Sequence, residues 1–224
     1  MLVLPVPAWA QRQTETVDRT LPFPSGGTLK LNNFSGEVRI TGGSGRNFVM
    51  KAVRRGEASR LKEIQLVVES SGSTITVEAN KRDREESRRW NIAGRSNIIE
   101  TDFEIQVPLD ARLEIDTFSS NVTITGVMGP QRLKTFSGDV EVDAIGQGTS
   151  PELEVETFSG TMRVRLAENA KGDVEFNSFS GHFDAAYPVS LRSSSRRNVR
   201  AELPGGPGRL LRFKSFSGDL RLVK

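Results

Sequence analysis

The chain has no cysteine, a single histidine, one tyrosine and two tryptophans among its 224 residues. Without cysteine there can be no disulfide, thiolate nucleophile, zinc–thiolate site or lipid anchor on a lipoprotein cysteine. With one histidine, any Ser-His-Asp relay must run through His182. Beyond the first residues no apolar run is long enough to make a membrane helix. Charge of one sign is also scarce: 31 basic and 28 acidic residues leave a net charge of +3. The signs are interleaved, which argues against a nucleic-acid groove and for a solvated mixed surface. Hydrophobic residues other than glycine are 36% of the chain, and much of the glycine, 21 residues, sits at regular turns. A thin, elongated β structure fits that composition better than a thick core.

What the chain does have is one phrase in six copies. They are Asn33-Phe34-Ser35-Gly36, Thr117-Phe118-Ser119-Ser120, Thr135-Phe136-Ser137-Gly138, Thr157-Phe158-Ser159-Gly160, Ser178-Phe179-Ser180-Gly181 and Ser215-Phe216-Ser217-Gly218. Alternating runs such as Val140-Glu141-Val142 follow each copy, a period-two pattern that reads as strand. From Phe118 onward the phenylalanines recur at intervals of 18, 22, 21 and 37 residues. A two-strand unit of ~20 residues cannot bury an apolar face alone, so copies must stack. The fold class expected is therefore all-β, a single-domain β-solenoid of the parallel β-helix kind with ~20-residue coils. A β-propeller, whose blades need ~40 residues, and an antiparallel sandwich are the alternatives. Glycine after serine suits a corner that needs positive φ and close backbone approach.

In chain order, residues 1–10 read as the remnant of a secretory signal. Leu2 to Pro7 is apolar, and Ala8-Trp9-Ala10 before Gln11 has the small-x-small form of a cleavage site. This places the mature chain outside the cytoplasm, periplasmic or secreted. Residues 11–27 read as a flexible N-terminal segment. The β-repeat domain spans 28–224, less regular at first, with regular repeats over 109–224 and an insertion at 188–207. The charged stretch 80–96 reads as an exposed hairpin loop, with a basic-aromatic contact patch around Trp90 as the sharper alternative.

Several of these stretches carry a family resemblance. Val107-Pro108-Leu109-Asp110-Ala111-Arg112-Leu113, the Thr135–Val140 unit with its Thr-x-Ser-Gly-Asp pattern, its near copy Thr157–Met162, and the terminal Ser217-Gly218-Asp219-Leu220 resemble the bacterial putative-adhesin family over roughly residues 28–224. The resemblance implies a β-solenoid-like fold and an envelope location, and brings no agreed activity or catalytic residues. The chain departs from the family's pattern by placing Phe in the second slot of all six copies.

The residues offer little catalytic chemistry. Ser180, His182 and Asp184 share one strand face, but equivalent slots hold Asp139, Thr161 and Asp219, as an ordinary exposed corner would. Those slot carboxylates are not adjacent in the stack, so neither a calcium site nor a sugar-cleaving acid–base pair is expected. Glu152, Glu154 and Glu156 are expected to form surface ion pairs near Arg163 and Arg165. No cofactor, metal or catalytic residue is assigned.

The candidate contact stripe is Phe34, Phe118, Phe136, Phe158, Phe179 and Phe216. Strict alternation turns these rings outward as an apolar patch. A twisted corner would instead turn them inward, and a thin core favours this interior or semi-buried ladder. The functional expectation is a non-enzymatic, adhesin-like binding or scaffold module contacting a protein or an envelope polymer. The second reading is self-association through an uncovered C-terminal coil at Leu220–Val223, and the third a carbohydrate-active enzyme.

Overall fold

The computed structural model describes residues 12–81, 99–144, 151–186, 188–195 and 197–224. The signal-like residues 1–10 and all of the charged 80–96 stretch except Asn80 and Lys81 lie outside them. The described chain is all-β apart from one short helix, α1 (Ala58–Glu63).

The alternation dictates the architecture. Each phrase joins a strand before the corner to a strand after it. In-register parallel pairing then builds two ladders, one on each side of the corner. β2 (Thr28–Gly43) and β7 (Arg112–Thr125) run through the corner and serve both ladders, pairing from Thr28↔Arg112 to Thr41↔Thr125.

On the first ladder β7 is followed by β8 (Gln131–Ser137), then β10 (Leu153–Ser159), β16 (Leu210–Ser215) and β12 (Asp173–Ser178). On the second ladder β7 is followed by β9 (Val140–Ala144), then β11 (Met162–Leu166), β17 (Leu220–Val223) and β13 (Phe183–Ala185). Inward residues of the two ladders, such as Leu133, Val155 and Phe213 against Val142, Val164 and Leu222, meet in one buried cluster. Each such side chain contributes about 1.5–3 kcal/mol of burial.

The order of layers corrects a sequence expectation. The last copy of the phrase does not end the stack: it inserts between the Phe158 and Phe179 layers, and β17 is paired on both edges, to β11 and to β13. Leu220–Val223 therefore offers no free edge, and self-association through the C-terminal coil is withdrawn. The 188–207 segment lies against that end instead. Its β15 (Asn198–Glu202) pairs antiparallel with β12, and β14 (Ser190–Ser194) pairs with β15.

The start of the chain behaves in the same way. β2 is flanked on its other side by a layer without the phrase, β5 (Thr74–Lys81) and β6 (Glu100–Pro108). Beyond these lie β4 (Gln65–Ser71) on β5 and β3 (Asn47–Glu57) on β6. Phe34 stacks directly on Phe118, so β3 to β6, which lie between them in sequence, build the far side of the stack.

Residues 12–22, expected to be flexible, form β1 (Arg12–Pro22), paired antiparallel with β3 along its whole length. Arg54, 3% exposed, donates from Nη1 to Glu15 Oε2 at 2.5 Å and from Nη2 to the Ile64 carbonyl. Backbone pairing and this charged tie hold a segment too polar to announce itself by hydrophobic pattern.

Candidate contact surface

The first residue of each phrase points inward, and in every copy but the second, where Thr117 Oγ1 has no partner among the described residues, it fastens the corner. Thr135 Oγ1 donates to the Ser137 carbonyl at 3.0 Å, Thr157 Oγ1 to Ser159 at 2.8 Å, and Asn33 Nδ2 to Ser35 at 3.1 Å. In the two serine copies the direction reverses: Ser178 Oγ accepts from the Gly181 amide at 2.8 Å and Ser215 Oγ from the Gly218 amide at 2.5 Å. Short polar side chains that bond their own backbone suit such turns. The glycine is needed on two counts. Gly160 has φ of 122°, and a Cβ there would lie 2.2 Å from the Gly138 carbonyl oxygen of the layer beneath.

The slot after the glycine clips one layer to the next. The Asp139 amide donates to Asn121 Oδ1 at 3.0 Å, the Thr161 amide to Asp139 Oδ1 at 2.7 Å, and the His182 amide to Asp219 Oδ1 at 2.9 Å. At the other end the Glu37 amide donates to Asp102 Oδ1 at 2.9 Å. The His182 amide holds the Asp219 carboxyl below its usual range, its hydrogen bond outweighing burial. These carboxylates are structural acceptors. His182 is an exposed side chain whose Nδ1 lies 3.4 Å from Asp219 Oδ1, and Ser180 Oγ turns to the Phe216 carbonyl at 3.5 Å. The structure brings His182 to Asp219 on the neighbouring layer, and Ser180 does not bond it. Among the described residues no cluster of His, Asp and Glu is arranged to hold a metal ion.

The second residue of each phrase stands outside. Phe118, Phe136, Phe158, Phe179 and Phe216 are 44–52% exposed, and Phe34 is partly exposed. The interior placement favoured by the thin core is therefore corrected. The alternation rule holds at the corner, and each ring gains its partial burial from neighbouring rings. Centroids step by 4.7, 4.8, 4.9, 4.9 and 5.0 Å through Phe34, Phe118, Phe136, Phe158, Phe216 and Phe179. That is the spacing of hydrogen-bonded strands, so the ladder itself sets the stacking. From Phe118 onward successive planes differ by 1–6°. Ring faces turn to one another, and Arg197 lies 4.4 Å from the ring centre of Phe179, over its face. The stripe thus presents ring edges.

Beside the stripe runs an open groove lined in part by Asp116, Lys134, Glu156 and Lys214. These four occupy one outward row, in register layer by layer. Lys214 Nζ lies 2.8 Å from Glu156 Oε1, and Lys134 Nζ 3.6 Å from Glu156 Oε2. The Lys214 hydrogen bond, with help from Lys134, holds the Glu156 carboxyl below its usual range. The expected pairing of Glu154 and Glu156 with Arg163 and Arg165 is corrected. Glu154 meets Arg132 and Arg212 on the same ladder, and Arg165 meets Asp143. Partners come from adjacent layers at the same register position, because outward residues of the two ladders face opposite ways. Sequence reading could not find Lys214 in this row, since its layer is out of chain order.

A family model described as Toastrack DUF4097 matches residues 20–222. The chain belongs to that family. No curated protein matches this Toastrack chain. Among solved structures, a putative cell adhesion protein from Clostridium sporogenes superposes with a TM-score of 0.64 at 12% identity, covering 93% of this chain and 99% of that one. A putative adhesin from Bacteroides fragilis gives a TM-score of 0.35 at 10% identity, covering 93% and 97%. The Clostridium structure shares the Toastrack fold seen here. Among the described residues no helix is long and apolar enough to cross a membrane.

Proposed function

We propose that the chain is a non-enzymatic binding module of the bacterial envelope, a single-domain β-solenoid that includes β1 and contacts a protein or envelope polymer through its phenylalanine stripe. The observation that carries this reading is the line of six stacked rings, five of them left about half in water. Contiguous exposed apolar surface of this kind marks contact sites. The folding role of the phrase is already met by its inward polar residue, its glycine and the clipping slot, and none of these needs an aromatic outside. The adhesion names of the similar structures support the same direction, as does the signal-like start, which implies an exported chain beginning near Gln11. The carbohydrate-enzyme reading is disfavoured because the slot carboxylates are engaged by backbone amides. The ring faces a sugar would stack on are occupied by other rings.

The test is retention of the mature exported chain on envelope fractions, comparing wild type with the Phe136→Ser/Phe158→Ser double variant. Binding lost at unchanged melting temperature supports the stripe. Folded variants that keep every partner overturn it.

A further inference from the structure

We infer that the stripe's partner is a second copy of this chain, docked antiparallel through a two-fold axis that crosses the stripe between Phe136 and Phe158. This rests on the proposal that the stripe is a contact surface and adds the identity of its occupant.

In stack order the rings are Phe34, Phe118, Phe136, Phe158, Phe216 and Phe179, three on each side of that axis. An axis lying across the stripe lays the stripe of one copy on the stripe of the other and reverses the order of layers. An axis along the stack would also lay rings on rings, but layer on like layer, and would set each charged row against the opposite flank of the stripe instead of against itself. A two-fold contact must be self-complementary, so the flanking charges decide between the two.

The row beside the rings reads Asn32, Asp116, Lys134, Glu156, Lys214, Asn177 through the six layers. Read backwards against itself, every charge meets its opposite: Asp116 faces Lys214 of the second copy, Lys134 faces Glu156, and the neutral Asn32 faces Asn177. The next outward row reads Lys30, Glu114, Arg132, Glu154, Arg212, Glu175 and is complementary about the same centre. Ion pairs between adjacent layers, such as Lys30 with Glu114 at 2.9 Å, explain why signs alternate. An even number of layers turns that alternation into a surface that fits itself only in the antiparallel sense. Charge complementarity of this kind fixes register and orientation more than it adds affinity. The rings supply the apolar centre and the rows the rim.

The experiment is sedimentation velocity of the full chain from about 1 µM to 1 mM, with melting temperature as the folding control. Asp116 and Lys214 lie three layers, about 14 Å, apart, so they touch across the two-fold and not within one chain. Wild type is expected to dimerise with rising concentration. Asp116→Lys alone, or Lys214→Asp alone, breaks two contacts per dimer and should weaken association about tenfold or more. The double variant Asp116→Lys/Lys214→Asp should return to within about threefold of wild type. Phe136→Ser/Phe158→Ser should leave monomers. Wild type monomeric at every concentration overturns the second copy as partner. Charge swaps without rescue overturn the antiparallel docking. A wild type that stays monomeric while envelope retention is still lost in Phe136→Ser/Phe158→Ser removes the second copy alone and keeps the stripe as a contact surface; retention unchanged in that folded double variant removes the stripe itself.

Discussion

The two ends of the stack are finished differently. At the end that carries β5 and β6, both ladders are covered. β4 lies on one, β3 and then β1 lie on the other, and a buried guanidinium ties β1 down. At the opposite end the β15–β14 hairpin covers β12, while among the described residues no strand pairs with the outer edge of three-residue β13. An open edge invites strand addition, and shortness is one way to blunt it. The lesson is that the ends were solved separately: one by extra sheet and a charged tie, the other by a hairpin on one ladder and a truncated strand on the other.

The largest test of this contrast uses two phenylalanines in equivalent end layers. Phe103 in β6 is 1% exposed, while Phe183 in β13 is only partly buried. Phe103→Ala should cost about 3–5 kcal/mol, the usual range for emptying a closed core site. Phe183→Ala should cost about 1–2 kcal/mol, because part of the ring's surface never leaves water. Urea denaturation measures both, and equal losses would mean that the two ends are equally closed.

A smaller effect is expected at Glu15. Replacing it with alanine leaves the buried Arg54 guanidinium without its carboxylate, and a charge-assisted hydrogen bond of this kind is worth about 1.5–3 kcal/mol; the half-exposed Glu15 puts the loss toward the low end. Amide exchange should rise along β1 before the rest of the sheet opens. Unchanged exchange in β1 would show that backbone pairing alone holds it.

The smallest effect sharpens the comparison through pH. Burial raises the Asp102 carboxyl, but the Glu37 amide and the Arg55 guanidinium more than reverse this and leave it below its usual value. Asp219 is likewise depressed, first by the His182 amide. A depressed folded value means the stabilisation is present above the ordinary carboxylate range, about pH 4, and is lost as pH falls through the folded value. The melting temperature should therefore drop below about pH 4. Asp102→Asn should flatten that drop more than Asp219→Asn, because Asp102 is the less exposed and is also paired to Arg55. A larger flattening from Asp219→Asn would place the stronger clip at the less covered end.

Much of this was legible in the sequence. The phrase announces the corner, Val140 and Val142 announce the core face, and alternation points Phe136 outward. The interior placement failed because it asked only whether a thin core needs rings, and not whether rings could shelter one another. Layer order was illegible for a physical reason: in-register copies of nearly the same phrase accept any neighbour, so nothing in Ser215–Gly218 says that it belongs between Phe158 and Phe179. β1 was illegible because it lies outermost with both faces largely in water, so no apolar alternation marks it.

The tucked position of the last layer also sets a schedule. A chain made or exported from its N-terminus can stack β7, β8 and β10 as they emerge, but β12 has no parallel neighbour to join until β16 arrives. The place between β10 and β12 must stay open until the final fifteen or so residues are available, and non-local closure of this kind is slow. The terminal strand is thus the latch of the fold: it closes the stack last, and a chain cut short before it leaves two unsatisfied edges rather than one layer fewer.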